Sequence, residues 1–222
     1  MSARRRFLSL WFASVLVCAS VVFASSELGA TSNQRAEKIS IPGIRDAGKI
    51  NDYLYRGAQP KESALKELKQ LGITTIVDLR GERHGLMETE RKNAQALGME
   101  VVNLPGNGWS PPTDQQIAQF FEIMQTTPRR KVFLHCWLGG DRAGIFIAAY
   151  RMAFERWTPE QALQEMHEFH FHGFWHPAMA KYVQEFPERL ASSPALAVFR
   201  HAATVANSAQ TDEARPVGPT TP

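Results

Sequence analysis

The chain has 222 residues, enough for one domain with a substantial core and some appended sequence, and too few for two full domains of ordinary size. Hydrophobic residues at 44% and charged residues at 21% exclude a largely disordered chain. The net charge of +3 is accounted for by Arg4, Arg5 and Arg6; the rest of the chain balances, which excludes the basic stripe that a nucleic-acid partner requires.

Residues 7–24 form an apolar run broken only by Ser9, Ser14 and Ser20, directly after the three arginines. This is the layout of a secretory leader, with Val22, Phe23 and Ala24 suited to cleavage after Ala24. The run is also near the minimum for spanning a bilayer. Residues 1–24 are therefore expected to be a signal peptide or an N-terminal membrane anchor. In both cases the arginines favour export, so the body of the chain is expected to be periplasmic, or anchored and facing the extracytoplasmic side. Cys18 belongs to the run, which leaves Cys136 as the one cysteine beyond it and excludes an internal disulfide there.

Residues 25–45 lack sustained apolar periodicity and read as a linker, with the domain over residues 46–190 and its first element near Ile50. Leu54 between Tyr53 and Tyr55 marks a short strand, and the segment from Arg56 to Pro60 turns into a helix whose Leu65 and Leu68 lie at helical spacing. Residues 73–79 are β-branched and predict a buried strand. A polar helix over residues 88–97 and a strand over 99–104 follow, then a loop at 105–112 rich in Gly and Pro. Thr113 with Gln116 forms a capping box for a helix that buries Ile117, Phe120, Phe121 and Met124. A strand over 131–135, a helix over 143–155, a helix opened by Thr158 and Pro159, and another from Pro177 complete the series. Residues 191–222 are small, polar and proline-rich, the composition of a disordered tail. The alternation predicts an α/β fold with a central, mostly parallel sheet flanked by helices.

Cys136, Trp137, Leu138, Gly139, Gly140, Asp141 and Arg142 join the strand over 131–135 to the helix over 143–155. Backbone NH groups of such a loop can converge on an anion, and the helix N-terminus adds partial positive charge. Gly139 and Gly140 allow close backbone approach. Five intervening residues bring the Arg142 fork to the same anion as the Cys136 sulfur, and this positive environment lowers the thiol pKa. The chemistry that fits is phosphate-ester cleavage by a thiolate. The alternative, that Cys136 is a buried apolar side chain six positions from an unrelated Arg, does not explain His135, the glycines and the strand–loop–helix context.

With its His-Cys, five residues, Arg pattern, the loop resembles that of the dual-specificity branch of cysteine phosphatases. The likeness extends to Leu54, Tyr55, Arg56, Gly57, Ala58, Gln59 and Pro60, to Thr75 through Arg80, and to Ala149, Tyr150, Arg151 and Met152 with Trp157, in the manner of exported bacterial members. It covers about residues 50–186. The resemblance implies the protein tyrosine phosphatase-like fold, a phosphocysteine intermediate at Cys136, Arg142 as phosphate clamp, substrate contacts from Trp137, Leu138, Gly139, Gly140 and Ala143, and no metal or other cofactor.

Two departures stand out. The family has Ser or Thr directly after the loop Arg, where this chain has Ala143, and slow turnover is expected. The family's general-acid Asp comes from the loop corresponding to residues 105–112, which holds no carboxylate. Asp141, fixed beside the phosphate, is the preferred proton donor, as a lipid-phosphatase branch of the superfamily has Asp there. Asp114 is the alternative, its competing role being an acid in the first turn of a capped helix. His135 is expected to steady the loop. His167, His170, His172 and His176 fit no common metal-ligand spacing and are read as packing or surface residues. Trp109 either lines the pocket mouth or anchors its loop.

The expected function is an exported phosphatase acting on phosphotyrosine, and on phosphoserine or phosphothreonine, in proteins. A lipid or inositol phosphate phosphatase is the alternative within enzymes, disfavoured by a loop without Lys. A catalytically impaired phosphate-binding module is the alternative outside them; a sulfur-transfer loop is usually shorter and lacks this Arg. The sequence does not set the natural substrate or the oligomeric state.

Overall fold

The computed structural model describes residues 34–200. Six strands form one sheet in the order β1-β2-β3-β6-β4-β5: β1 (Glu37–Lys38), β2 (Gly48–Lys49), β3 (Leu54–Ala58), β4 (Thr75–Arg80), β5 (Glu100–Gly106) and β6 (Val132–Cys136). The pairs β3/β6, β6/β4 and β4/β5 are parallel, and β1 and β2 add an antiparallel edge. The helices are α1 (Ala64–Gln70), α2 (His84–Ala96), α3 (Asp114–Gln125), α4 (Asp141–Phe154), α5 (Pro159–Glu168), α6 (Pro177–Gln184) and α7 (Phe186–Ser192), followed by a 3-10 turn at Pro194–Phe199. The mostly parallel sheet flanked by helices is the α/β arrangement that the alternating pattern predicts.

The two faces of the sheet build separate cores, because side chains alternate along each strand. Leu54, Val77, Leu79, Leu134 and Cys136 face the larger one, shared with α3 to α7. Tyr55, Ile76 and Phe133 face the smaller one, with Leu65 and Leu68 of α1 and Ala94 of α2. Helix α4 is buried nearly all round, from Arg142 to Ala153, which places the N-terminal end of a fully enclosed helix directly behind the Cys136 loop. The capping boxes of Thr113 with Gln116 and Thr158 with Gln161 are both formed, so α3 and α5 start where their sequences direct.

The elements depart from expectation in three places. Arg56, Gly57 and Ala58 continue β3 instead of turning toward α1, because each pairs in register with β6: Arg56 with Leu134, Gly57 with His135, Ala58 with Cys136. Helix α2 begins at His84, earlier than its polar periodicity indicates. Packed structure extends beyond residues 46–190 on both sides. Ile41 and Ile44 in the expected linker are buried, and Leu196 and Phe199 in the expected tail are buried in the larger core. The leader at residues 1–24, the first part of the linker and residues 201–222 lie outside the described residues. Among the described residues, no helix is long and apolar enough to cross a membrane.

Candidate active site

Cys136 is the last residue of β6, and Asp141 is the first of α4, so the loop between them closes at the C-terminal edge of the parallel strands. In an open α/β sheet this edge is where ligands bind. Cys136 is buried and is not in a disulfide. The Gly139 amide donates to its sulfur at 3.2 Å. The N-terminal end of α4 lies directly behind the sulfur.

The two loop glycines are required by what surrounds them. Gly139 has a φ of +91°, and a Cβ there would stand 2.8 Å from the Ala58 nitrogen. A Cβ on Gly140 would meet the carbonyl oxygens of Phe169 and His170 at 3.0 Å. Larger residues at either position would push the loop off β3 or off the α5 end.

Arg142 is drawn in from the first turn of α4 and is nearly buried. Its Nη1 donates to Glu82 Oε2 at 2.9 Å, to the Gly106 carbonyl at 3.0 Å and to the Leu79 carbonyl at 3.3 Å, and its Nη2 donates to Glu82 Oε1 at 2.8 Å. Burial opposes the charge on Arg142, but the Glu82 hydrogen bonds and the charges of Cys136, Glu82 and Asp78 outweigh it and raise the pKa. Reciprocally, the Arg142 hydrogen bonds hold the Glu82 carboxyl below the usual range. Glu82, in the β4–α2 connection, is a site residue that sequence reasoning missed, because nothing local to it marks a partner 60 positions away.

His135 points to the opposite face from Cys136. It pairs in register with Asp78, and its Nε2 lies 2.8 Å from Glu90 Oε1. Its Nδ1 is 3.2 Å from the Cys136 carbonyl oxygen, so the expectation that it steadies the loop has a structural counterpart. Asp78, Glu90 and His135 are the one grouping of metal-ligand side chains among the described residues. The space between the two carboxylates is filled by Arg80, whose Nη2 lies 2.8 Å from both Asp78 Oδ2 and Glu90 Oε2. A guanidinium already supplies the charge that a metal would bring, so these residues do not fit one.

The two acid candidates are placed differently. Asp114 accepts from the Tyr182 hydroxyl at 3.0 Å and from Arg189 at 3.5 Å, tying α3 to α6 and α7. Burial first, then the charge and hydrogen bond of Asp114, push the Tyr182 phenol upward. Asp141 instead lines a cavity of about 530 Å³ beside the loop, together with Trp109, Leu138, His172, Trp175 and His176. Its Oδ2 is 3.6 Å from His176 Nε2, and the His176 ring lies 5.2 Å from that of Trp109. Trp109 is 74% exposed, so it lines this cavity and does not anchor its loop. Trp137 carries the Arg83 guanidinium 4.1 Å from its ring centre, and Ala143 is fully buried. Of the remaining histidines, His167 contacts the Phe171 carbonyl and His170 contacts Asp46.

Residues 43–184 match the family profile described as DSP-PTPase phosphatase fused to NAD+ kinase. The chain belongs to this phosphatase family. The phosphatase domain is 27% identical over 119 residues to the dual specificity protein phosphatase TpbA of Pseudomonas aeruginosa, covering 53% of this chain and 51% of that protein. It is 32% identical over 115 residues to a probable chloroplastic NAD kinase 2 of Oryza sativa, covering 50% of this chain and 12% of the rice protein. The matched stretch thus spans about half, or much less, of these relatives' lengths. In three dimensions the crystal structure of P. aeruginosa TpbA superposes with a TM-score of 0.59 at 25% identity, over 71% of this chain and 95% of that one. The catalytic core of the PP-IP phosphatase SIW14 of S. cerevisiae shares the fold, with a TM-score of 0.54 at 16% identity over 71% of this chain and 98% of that one.

Proposed function

We propose that the chain hydrolyses phosphate monoesters, phosphotyrosine first and phosphoserine or phosphothreonine second, in proteins, through a phosphocysteine intermediate at Cys136. The observation that carries this reading is the convergence on one loop of a sulfur that accepts the Gly139 amide and an Arg142 fork held in place by Glu82. In the first step the Cys136 thiolate attacks phosphorus, the S–P bond forms and the P–O bond to the leaving group breaks. Asp141 gives its proton to the departing oxygen. In the second step water attacks phosphorus and returns a proton to Asp141. The S–P bond breaks, releasing inorganic phosphate and the thiolate. Loop amides and Arg142 stabilise the charge on the equatorial oxygens throughout.

The preference for Asp141 over Asp114 rests on partners: Asp114 is engaged by Tyr182 and Arg189, whereas Asp141 borders the cavity beside the loop. The aromatic side chains around that cavity favour an aryl leaving group. The likeness to the yeast PP-IP phosphatase supports a reading on inositol phosphates, but the loop has no Lys, and the cavity beside it carries Asp46 and Asp141 against a single Arg45, which disfavours a polyanionic substrate. The leader at residues 1–24 supports action outside the cytoplasm, as in exported bacterial members. The test is hydrolysis of a chromogenic aryl phosphate by the purified protein and by Cys136→Ser. Turnover is expected only from the former; well-folded but inert protein would mean a phosphate-binding module instead.

A further inference from the structure

A second arginine reaches the Cys136 loop from the side opposite Arg142. Arg56 sits in the middle of β3, paired with Leu134 two residues before the nucleophile, so strand alternation puts its side chain on the same face as Cys136. The side chain is fully buried. Its Nη2 donates to the Gly139 carbonyl at 2.6 Å and to the Gly140 carbonyl at 3.3 Å. Its guanidinium carbon lies over the Phe169 ring, 4.2 Å from the ring centre. Burying a guanidinium is costly, and here Nε and Nη1 find no hydrogen-bond partner among the described residues. An apolar side chain of similar length would fill this space without that cost.

We infer that Arg56 is a positioning residue for the proposed phosphoryl transfer, one that turns the loop amide of Gly140 toward the phosphate by holding the Gly139 carbonyl away from it. The reason lies in the planar trans peptide, in which the C=O and the following N–H point in opposite directions. Pinning the Gly139 oxygen onto Arg56 therefore aims the Gly140 N–H to the far side, while the Gly140 oxygen is held chiefly by the Gly144 amide of α4 at 2.8 Å, which sets the Asp141 N–H. The neighbouring amide, that of Gly139, already points to the Cys136 sulfur. Arg56 thus holds the one carbonyl of the pair that the helix does not, with a secondary contact to the next, and a neutral side chain does this less well.

The charges around Arg56 fit this role. Burial works against its ionisation, and Glu165, Asp46 and Cys136 favour it while Arg151 opposes it. Burial is the larger effect and lowers the Arg56 pKa, and Glu165 from α5 and Asp46 from the segment before β2 offset it in part. Glu165 is itself held by Arg151 at 2.8 Å and by the Ala36 amide at 2.7 Å. The loop is thus gripped between two arginines with separate duties. Arg142 is available to the phosphate oxygens, and Arg56 shapes the cradle from beneath.

The inference rests on the phosphatase reading, and its test separates the two. Competitive inhibition by inorganic phosphate and turnover of an aryl phosphate are measured for the wild type, Arg56→Met and Arg56→Lys, with circular dichroism to establish folding. Loss of two charge-assisted hydrogen bonds predicts an inhibition constant for phosphate raised on the order of tenfold or more in Arg56→Met, with kcat also lowered and a partial return in Arg56→Lys. A loss of packing alone would lower the unfolding midpoint and leave phosphate affinity of the folded enzyme unchanged. Folded variants with wild-type inhibition constants would overturn the role of Arg56 while leaving the phosphatase reading intact. A wild type without turnover or phosphate inhibition would overturn that reading. If Arg56→Met does not fold, Arg56→Lys decides: a several-fold weaker phosphate inhibition is expected, and wild-type inhibition overturns the inference.

Discussion

The carboxylate of Glu82 spans both terminal nitrogens of Arg142, at 2.8 and 2.9 Å. This pairing fixes the rotation of the guanidinium and leaves its remaining N–H groups for an anion beside Cys136. Glu82→Gln is expected to retain one hydrogen bond and lose the charge, weakening phosphate inhibition several-fold while Cys136 stays competent. Steady-state inhibition by inorganic phosphate checks this, and an unchanged inhibition constant would remove Glu82 from the site.

The same pair sets a dependence on pH. Arg142 depresses the Glu82 pKa in the folded state, so the pair's stabilisation is present above the ordinary glutamate value of about 4.3 and is lost as pH falls through the depressed folded value. Wild type and Glu82→Gln should therefore differ in urea midpoint at pH 7 and converge at the acid end of that window. Glu82 is 42% exposed, which limits the difference to below about 1 kcal/mol. A gap that widens on acidification would contradict the assignment.

Asp141 and Asp114 predict opposite phenotypes. Asp141→Asn is expected to lower kcat for an alkyl phosphate on the order of 100-fold or more and to spare an aryl phosphate with a good leaving group, because only the poor leaving group needs the proton. Asp114→Asn is expected to leave both rates within about twofold and to cost about 1 kcal/mol of stability, through the weakened contacts to Tyr182 and Arg189. Kinetics on the two substrate types together with urea unfolding separate the roles. The reverse ordering would transfer the acid to Asp114.

Behind the loop, Arg80 neutralises two buried carboxylates at once. Arg80→Met would strand Asp78 and Glu90, at a cost of about 3–5 kcal/mol measured by chemical unfolding. A loss under about 1 kcal/mol would mean that the network is dispensable.

The Ala143 side chain is fully buried at the loop end of α4, at the position where the resemblance to dual-specificity phosphatases implies a hydroxyl. Ala143→Ser is expected to speed breakdown of the intermediate, seen as a smaller pre-steady-state burst and a higher kcat. An unchanged burst and kcat would show that the hydroxyl has no role here.

How much of this was legible beforehand follows from range in sequence. The Cys136 loop could be read because its nucleophile, glycines and arginine lie within seven residues, between a strand and a helix of plain apolar character. Thr113 and Thr158 announced their helices because a capping box is complete within four residues. Strands β1 and β2 have two residues each, too few to show a period. The last buried side chains, Leu196 and Phe199, sit in a 3-10 turn within a segment whose overall composition is that of a tail. Glu82, Glu90 and Arg56 were not assigned roles because their partners are brought to them by parallel crossovers. Arg56 reaches Gly139 across 83 positions, and Arg80 meets Glu90 only when α2 folds back on β4.

The claim on which the others depend is that the Cys136 sulfur takes the phosphate. Rapid acid quench of enzyme turning over an aryl phosphate, followed by peptide mass spectrometry, tests it most directly. The account predicts a phosphate adduct on the Cys136 peptide of the wild type, accumulating further in Asp141→Asn, where water loses its proton acceptor, and absent from Cys136→Ser. Undiminished turnover by Cys136→Ser, or an adduct on any other side chain, would contradict it.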